Sequence, residues 1–164
     1  MAYQFITLEK SNRISVLTLN RPNANNALNR ALTLELIDAI NAADASDETA
    51  VIVITGAGKA FCAGVDLSEL SNDSSALTDE GLGTESPLSV AMRTCKKPII
   101  GAVNGAAVTG GFELALGCDF LYASEHARFA DTHVRVGILP GWGLSQKLSR
   151  IIGLGRAKEL SLSG

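Results

Sequence analysis

The stretch 99–119, IIGAVNGAAVTGGFELALGCD, constrains the fold of this chain more than any other part of the sequence. Its first five residues, 99–103, carry no charge and are bounded by β-branched side chains, which predicts a fully buried strand. Asn104-Gly105 ends that strand, and residues 112–117 have the composition of a short helix that ends at glycine. A buried strand followed by a glycine turn and a helix indicates an α/β fold.

Two glycines, Gly110 and Gly111, stand where this helix begins. Because glycine has no Cβ, its backbone N–H groups can approach a negative oxygen, and the helix dipole adds to the attraction. Such amides can form an oxyanion hole, and Glu113 lies close enough to act on a group that they hold. The alternative is structural: the glycines let the helix pack closely on a sheet, and the glutamate compensates the helix dipole.

Composition limits the functions open to the chain. With 164 residues, 46% of them apolar and 19% charged, residues 1–164 are expected to form one globular domain. The net charge of −3 and the scattered basic residues argue against binding of nucleic acid or of an anionic membrane. The longest uncharged run, 98–112, is too short to span a membrane, and Glu9 interrupts any signal-peptide core, so a cytoplasmic location is expected.

The cysteines do not indicate a metal site or disulfides. They are odd in number and lack the spacing of metal ligands, which predicts reduced, buried thiols at Cys62, Cys95 and Cys118. Nor does the glycine turn at 56–64 fit a phosphate loop, because its spacing is wrong and Ala60 replaces the hydroxyl residue that would hold magnesium.

Regular elements are expected on both sides of the central stretch. The other predicted strands are 4–8, 14–20, 50–55, 119–124 and 127–130, with a polar turn at 10–13 that makes the first two a hairpin. The other predicted helices are 30–44, 87–94, 144–150 and 155–163. Residues 68–87 are rich in Ser, Asp and Gly and predict a mobile loop over a site, and 131–143 are expected to form a loop with several titratable side chains.

Four segments occur in a characteristic order: LNRPNANNALN at 19–29, AFCAGVDL at 60–67, the central stretch at 99–119, and RFADTHVRVGILPGWG at 128–143. Together they resemble the crotonase superfamily, the enoyl-CoA hydratase/isomerase-like proteins, over essentially the whole chain. The resemblance implies an α/β spiral of repeated ββα units, a homotrimer or dimer of trimers, and an acyl-CoA thioester as ligand. It implies no cofactor other than the coenzyme A of the substrate.

The resemblance also implies roles for individual residues. Val65 and Gly110 match the two N–H donors that polarise the thioester carbonyl, and Glu113 matches a catalytic glutamate of the hydratases. Trp142 is expected in the wall of the acyl pocket or in the core. The segments that line coenzyme A in relatives carry Ala24, Asn25, Ala63 and Asp66.

The chain departs from the family pattern in three places. His133 occupies the position of the second glutamate of two-glutamate hydratases, and since an ordinary imidazole has a pKa of about 6.5 it can exchange protons near neutrality. Asp131 is the alternative acid or base, and a structural role for His133 is equally open. Thr109 stands where relatives often have glycine. Relatives also continue past the final LSG with further helices, so the C-terminal helical part is expected to be missing or shortened.

The activity implied by the resemblance is hydration of a 2-enoyl-CoA in fatty acid β-oxidation. Glu113 would activate the water that attacks the β-carbon, and a proton would reach the α-carbon of an enolate held by the two amides. Two alternatives stay open. One is a double-bond isomerase with a single carboxylate, and the other is a non-catalytic acyl-CoA-binding subunit.

Overall fold

The computed structural model describes residues 3–72 and 86–164. The strands in these ranges are β1 (Ile6–Ser11), β2 (Ile14–Leu19), β3 (Val51–Gly56), β4 (Ala60–Cys62), β5 (Ile99–Val103), β6 (Ala106–Val108), β7 (Phe120–Ala123) and β8 (Arg128–Ala130). The helices are α1 (Arg30–Ala45), α2 (Leu67–Asn72), α3 (Pro87–Thr94), α4 (Gly110–Gly117), α5 (His133–Val136), α6 (Leu144–Ile152) and α7 (Leu154–Ser163). A short 3-10 helix, Pro22–Ala24, follows β2.

The larger sheet has five strands in the order β1-β2-β3-β5-β7. β1 runs antiparallel to β2, and the remaining neighbours are parallel. The predicted hairpin is confirmed, but its turn is shorter than the predicted 10–13. Only Asn12 and Arg13 lie between the strands, with φ of 51° and 64°, the backbone of a tight type I′ turn. β1 extends to Ser11 although its last residues are polar. It is an exposed edge strand, so its residues need not alternate between apolar and polar.

The smaller sheet has three parallel strands in the order β4-β6-β8. The sequence predicted turn-like segments at β4 and β6, and that interpretation was wrong for these residues. Each strand is only three residues long and β4 and β6 are built mainly from small residues, so no period-2 pattern can develop.

The core lies between the larger sheet and the helices that cover it. Helix α1 buries one face, as its spacing predicted, and its buried residues are Leu32, Leu36, Ala39, Ile40 and Ala43. Asn29 caps this helix, because its Oδ1 accepts from the Leu32 N–H at 3.0 Å. The three cysteines are free thiols, with Cys62 and Cys118 buried and Cys95 half-buried.

Part of the predicted loop at 68–87 is helical. Residues 68–72 belong to α2, and Pro87 begins α3 with Ser86 as its N-cap, so these residues correct the prediction. The rest of that segment, 73–85, lies outside the described residues. Within the described ranges, no helix is long and apolar enough to cross a membrane.

The small sheet explains how distant segments reach one place. Its strands are parallel, so their carboxyl ends lie at the same edge of the sheet. Val65 follows β4, Gly110 follows β6 and Asp131 follows β8. The residues singled out by the sequence therefore converge at this edge.

Candidate active site

The N–H of Val65 is directed away from Leu28, the residue that pairs with it. Leu28 forms an isolated parallel bridge with Val65, in which the Leu28 N–H donates to the Gly64 carbonyl at 2.7 Å. The Asp66 N–H donates to the Leu28 carbonyl at 3.0 Å. In this register the N–H of Val65 points to the side opposite Leu28.

The N–H of Gly110 belongs to the first residue of α4 and so has no acceptor within the helix. Among the described residues, none of the backbone hydrogen bonds begins at the N–H of Val65 or Gly110. The two backbones touch, because a Cβ placed on Gly64 would lie 3.1 Å from the Gly110 nitrogen. Gly64 has a φ of 91°, which favours glycine, so this close approach depends on that residue.

The sequence left two roles open for Gly110 and Gly111, which were binding of an oxyanion and close packing of the helix on a sheet. A Cβ on Gly111 would overlap the carbonyl oxygen of Cys62, so Gly111 allows the helix to pack on β4. A Cβ on Gly110 would make only ordinary contacts of 3.5 Å, with Gly64, Val65 and Trp142. The structural explanation therefore applies to Gly111. Trp142 is 9% exposed, and its ring lies beside Gly110.

Thr109 holds the turn before α4 in an unusual backbone conformation, with φ 52° and ψ −123°. Residues other than glycine rarely adopt this backbone region, and surrounding contacts offset the conformational strain. The Thr109 N–H donates to the Ala130 carbonyl at 3.2 Å, and the Thr109 hydroxyl is hydrogen-bonded to that of Thr132. These bonds tie the turn to the segment that leads into His133.

Glu113 lies in the first turn of α4 and is 3% exposed. Its Oε1 accepts from the N–H of Trp142 at 2.7 Å and from the N–H of Leu144 at 3.2 Å. These two hydrogen bonds fix the orientation of the carboxyl group. The other carboxylate oxygen, Oε2, is left to face His133.

His133 lies between two carboxylates. Its Nε2 is 3.4 Å from Glu113 Oε2, and its Nδ1 is 2.6 Å from Asp131 Oδ1. The imidazole is 4% exposed and Asp131 is 1% exposed. The predicted loop at 131–143 is corrected here, since His133 begins the one-turn helix α5. The structure thus brings together all three titratable residues that the sequence proposed for catalysis.

Charge in this cluster is set by contacts more than by burial. Burial disfavours the imidazolium, but Glu113 and Asp131 together outweigh it and raise the pKa of His133 above its ordinary 6.5. Burial also raises the pKa of Asp131, yet hydrogen bonds from Ser161 and His133 outweigh it and hold that pKa below its ordinary 3.8. Both pKa shifts favour the ionised pair, a carboxylate on Asp131 and an imidazolium on His133.

Comparison with known proteins identifies the family. The family model described as Enoyl-CoA hydratase/isomerase matches residues 9–164. The chain belongs to this family. A probable peroxisomal enoyl-CoA hydratase 1 of Arabidopsis thaliana is 48% identical over 155 residues, which cover 94% of this chain and 57% of that protein.

Further relatives agree with this crotonase-family assignment. A crotonyl-CoA hydratase of Syntrophomonas wolfei is 42% identical over 161 residues, covering 98% of this chain and 62% of that protein. The crystal structure of an enoyl-CoA hydratase from Mycobacterium tuberculosis superposes with a TM-score of 0.87 at 47% identity, covering 98% of this chain and 66% of that one. The predicted α/β crotonase fold is confirmed. The chain spans 57% to 62% of the length of these two curated relatives.

The segments expected to line coenzyme A in this crotonase-family chain lie side by side. The Ala63 N–H donates to the Asn25 carbonyl at 3.0 Å, and Ala24 directly precedes Asn25 at the end of the 3-10 helix. The carboxylate of Asp66 is engaged within the chain, since it pairs with Arg21 Nη1 at 2.9 Å and accepts from the Ser68 hydroxyl at 2.6 Å. The Ser68 hydrogen bond, opposed by burial and aided by Arg21, lowers the pKa of Asp66.

Some residues of this crotonase-family site were not found from the sequence. Ser161 reaches Asp131 from α7, 30 positions along the chain, and Arg21 reaches Asp66 across a loop. Neither contact has a local sequence signal, because each joins segments that only the fold brings together. In the described parts of the chain, no group of three or more His, Cys, Asp or Glu side chains is arranged to hold a metal ion.

Proposed function

We propose that this protein adds water to the double bond of a 2-enoyl-CoA thioester through an enolate intermediate. One observation carries the proposal. The buried cluster of Glu113, His133 and Asp131 lies at the same edge of the small sheet as the N–H groups of Val65 and Gly110. Acid–base groups thus stand beside hydrogen-bond donors that can hold a carbonyl oxygen.

The two backbone amides bind the thioester carbonyl. As charge moves from the double bond onto that oxygen, the Val65 and Gly110 N–H groups donate to it, and the N-terminus of α4 adds its dipole. One donor of this kind typically stabilises a transition state by about 2.7–4 kcal/mol. The amides need no reorganisation during the reaction, because backbone contacts at Gly64 and Gly111 fix their positions.

Glu113 and His133 divide the proton transfers. Glu113 takes a proton from water as the water oxygen attacks the β-carbon, and the His133 imidazolium gives its Nε2 proton to the α-carbon. Glu113 is then protonated and His133 neutral. Since their facing atoms are 3.4 Å apart, the proton passes from Glu113 to His133 and restores the starting state. The sum of these steps is the addition of one water molecule.

The rest of the proposal follows the family resemblance. Residues 24–25 and 63–66 line the coenzyme A part of the substrate, and no other cofactor takes part. The protein forms a homotrimer or a dimer of trimers, residues 1–164 fold as one domain, and the reaction belongs to fatty acid oxidation. The cytoplasmic location stays a prediction.

Hydration of crotonyl-CoA, followed by loss of the enoyl absorbance, tests the proposal. Replacing the base in Glu113→Gln is expected to lower kcat by about 10²-fold to 10⁴-fold. Glu125→Gln is the matched control, because that side chain is fully at the surface, and it should retain the wild-type rate. Full activity of Glu113→Gln would remove the proposed base.

Product analysis separates the two alternatives. His133 supplies a second acid–base group beside Glu113, which favours hydration over a single-carboxylate isomerase. Conversion of a 3-enoyl to a 2-enoyl thioester without formation of a hydroxyacyl product would instead support the isomerase. Tight acyl-CoA binding without turnover, unchanged by His133→Ala, would support the non-catalytic binding subunit.

A further inference from the structure

A chain of polar contacts joins four residues from different parts of the fold. The Ser161 hydroxyl on α7 donates to Asp131 Oδ2 at 2.6 Å, and Asp131 Oδ1 lies 2.6 Å from His133 Nδ1. His133 Nε2 in turn faces Glu113 Oε2 at 3.4 Å. The chain of contacts therefore starts 30 residues beyond Asp131 and ends at the proposed base.

Asp131 needs contacts on both oxygens to keep one orientation. Its Oδ1 faces the imidazole and also lies 3.4 Å from the His133 N–H, but these two contacts come from one neighbouring residue. The hydrogen bond at Oδ2 comes from a separate helix and so fixes the plane of the carboxylate. Because Asp131 is 1% exposed, bulk water is poorly placed to replace that bond.

We propose that Ser161 is a positioning residue, which orients the Asp131 carboxylate and through it holds the His133 ring toward Glu113. Its catalytic consequence rests on the proposed hydratase function, whereas its effect on the imidazole does not. The Ser161 hydroxyl touches neither the ring nor the proposed base, and it acts only through Asp131.

Of the groups around His133, the one that positions Asp131 is the neutral side chain of Ser161. Glu113 faces the ring from α4, and Asp131 faces it from the segment after β8. On α5 itself, Arg135 is directed to the Ser163 carbonyl at 3.2 Å and is exposed. From α7 the hydroxyl of Ser161 favours the ionised form of Asp131 by donating to it. Its removal should therefore raise the pH at which Asp131 takes up a proton.

Ser161→Ala tests the inference in the full chain, since alanine favours helix and the fold should persist. We expect kcat for crotonyl-CoA to fall by about 10-fold to 100-fold with KM unchanged. The acid limb of the kcat profile should move to higher pH. The proton on His133 Nδ1, read by NMR without substrate, should lose the downfield shift that its bond to Asp131 produces.

Two variants serve as controls. Ser163→Ala removes a hydroxyl from the same helix that donates only to the Glu159 carbonyl, and it should behave as the wild type. Ser161→Thr keeps the hydroxyl and should restore both the pH profile and the NMR signal. An unchanged kcat, pH profile and Nδ1 resonance in Ser161→Ala would overturn the inference. Absence of hydratase activity in the wild type would overturn the proposed function instead, while the NMR comparison still decides the role of Ser161.

Discussion

His133 Nε2 lies 3.4 Å from Glu113 Oε2, and the other ring nitrogen lies 2.6 Å from Asp131 Oδ1. The imidazole is thus held by carboxylates through both nitrogens in a buried site. This arrangement favours the protonated ring, and it makes stability depend on the charge of one histidine, as would the proposed activity.

The raised pKa of His133 predicts how stability varies with pH. A group whose pKa is higher in the folded state stabilises fully below its ordinary pKa, here 6.5, and this contribution is lost as pH rises through the folded pKa. The free energy of unfolding should therefore decline above pH 6.5 in the wild type but much less in His133→Gln. Urea titrations across this range measure the effect. His126→Gln, at an exposed site, should keep the wild-type decline, and an equal decline in His133→Gln would contradict the prediction.

Replacing His133 by the glutamate of the family pattern should destabilise the fold when it is the only substitution. In His133→Glu a third carboxylate would stand between Glu113 and Asp131, and an uncompensated buried charge costs about 3–5 kcal/mol. The loss of stability should be larger at pH 8 than at pH 5, because protonation of the carboxylates relieves their repulsion. Adding Asp131→Asn should recover more than half of it. Thermal unfolding at both pH values checks this, and a single variant as stable as the wild type at pH 8 would refute it.

The glycine pair predicts an unequal response to alanine. Gly111→Ala should destabilise the fold by about 3 kcal/mol, because the added Cβ overlaps the carbonyl of Cys62. Gly110→Ala should stay within about 1 kcal/mol of the wild type, since its Cβ makes ordinary contacts and alanine favours helix. Urea unfolding of the two variants gives the comparison. Equal free energies of unfolding for the two variants would show that the contact of Gly111 with β4 does not restrict the residue at position 111.

The proposed amide pair should polarise a bound carbonyl. The stretching frequency of an isotope-labelled thioester carbonyl in butyryl-CoA should fall on binding, because the two proposed N–H groups would donate to it. Infrared difference spectra measure the shift. Glu113→Gln should keep it, because that side chain is not one of the proposed donors. A bound carbonyl with the same frequency as in water would mean that Val65 and Gly110 do not bind it.

The long apolar elements were predictable from the sequence. β2, β3 and β5 each have five or six mostly apolar residues, and α1 shows five buried positions at helical spacing. The short strands β4 and β6 were not predictable, because they are defined by pairing with each other and with β8. Local composition does not record such pairing.

The candidate site was predictable to the extent that its residues lie in motifs. The glycines at the start of α4 indicated exposed backbone amides, and the resemblance to the crotonase family assigned Val65 and Gly110 as the donors. Asp131 was proposed only as an alternative to His133. The support from Ser161 and the backbone donors at Trp142 and Leu144 were not predictable. Each of these joins segments about 30 residues apart, so its geometry exists only after the chain has folded.

The loop at Gly64 packs directly against the Gly110 nitrogen, the Val108 carbonyl oxygen and the Cβ of Thr109 at the start of α4. Under the proposed function, mutations elsewhere in the acyl pocket would therefore change which acyl chains fit without displacing the two amides. If that proposal holds, such a scaffold can diversify its substrates over evolutionary time while inheriting one way of stabilising the enolate that they share.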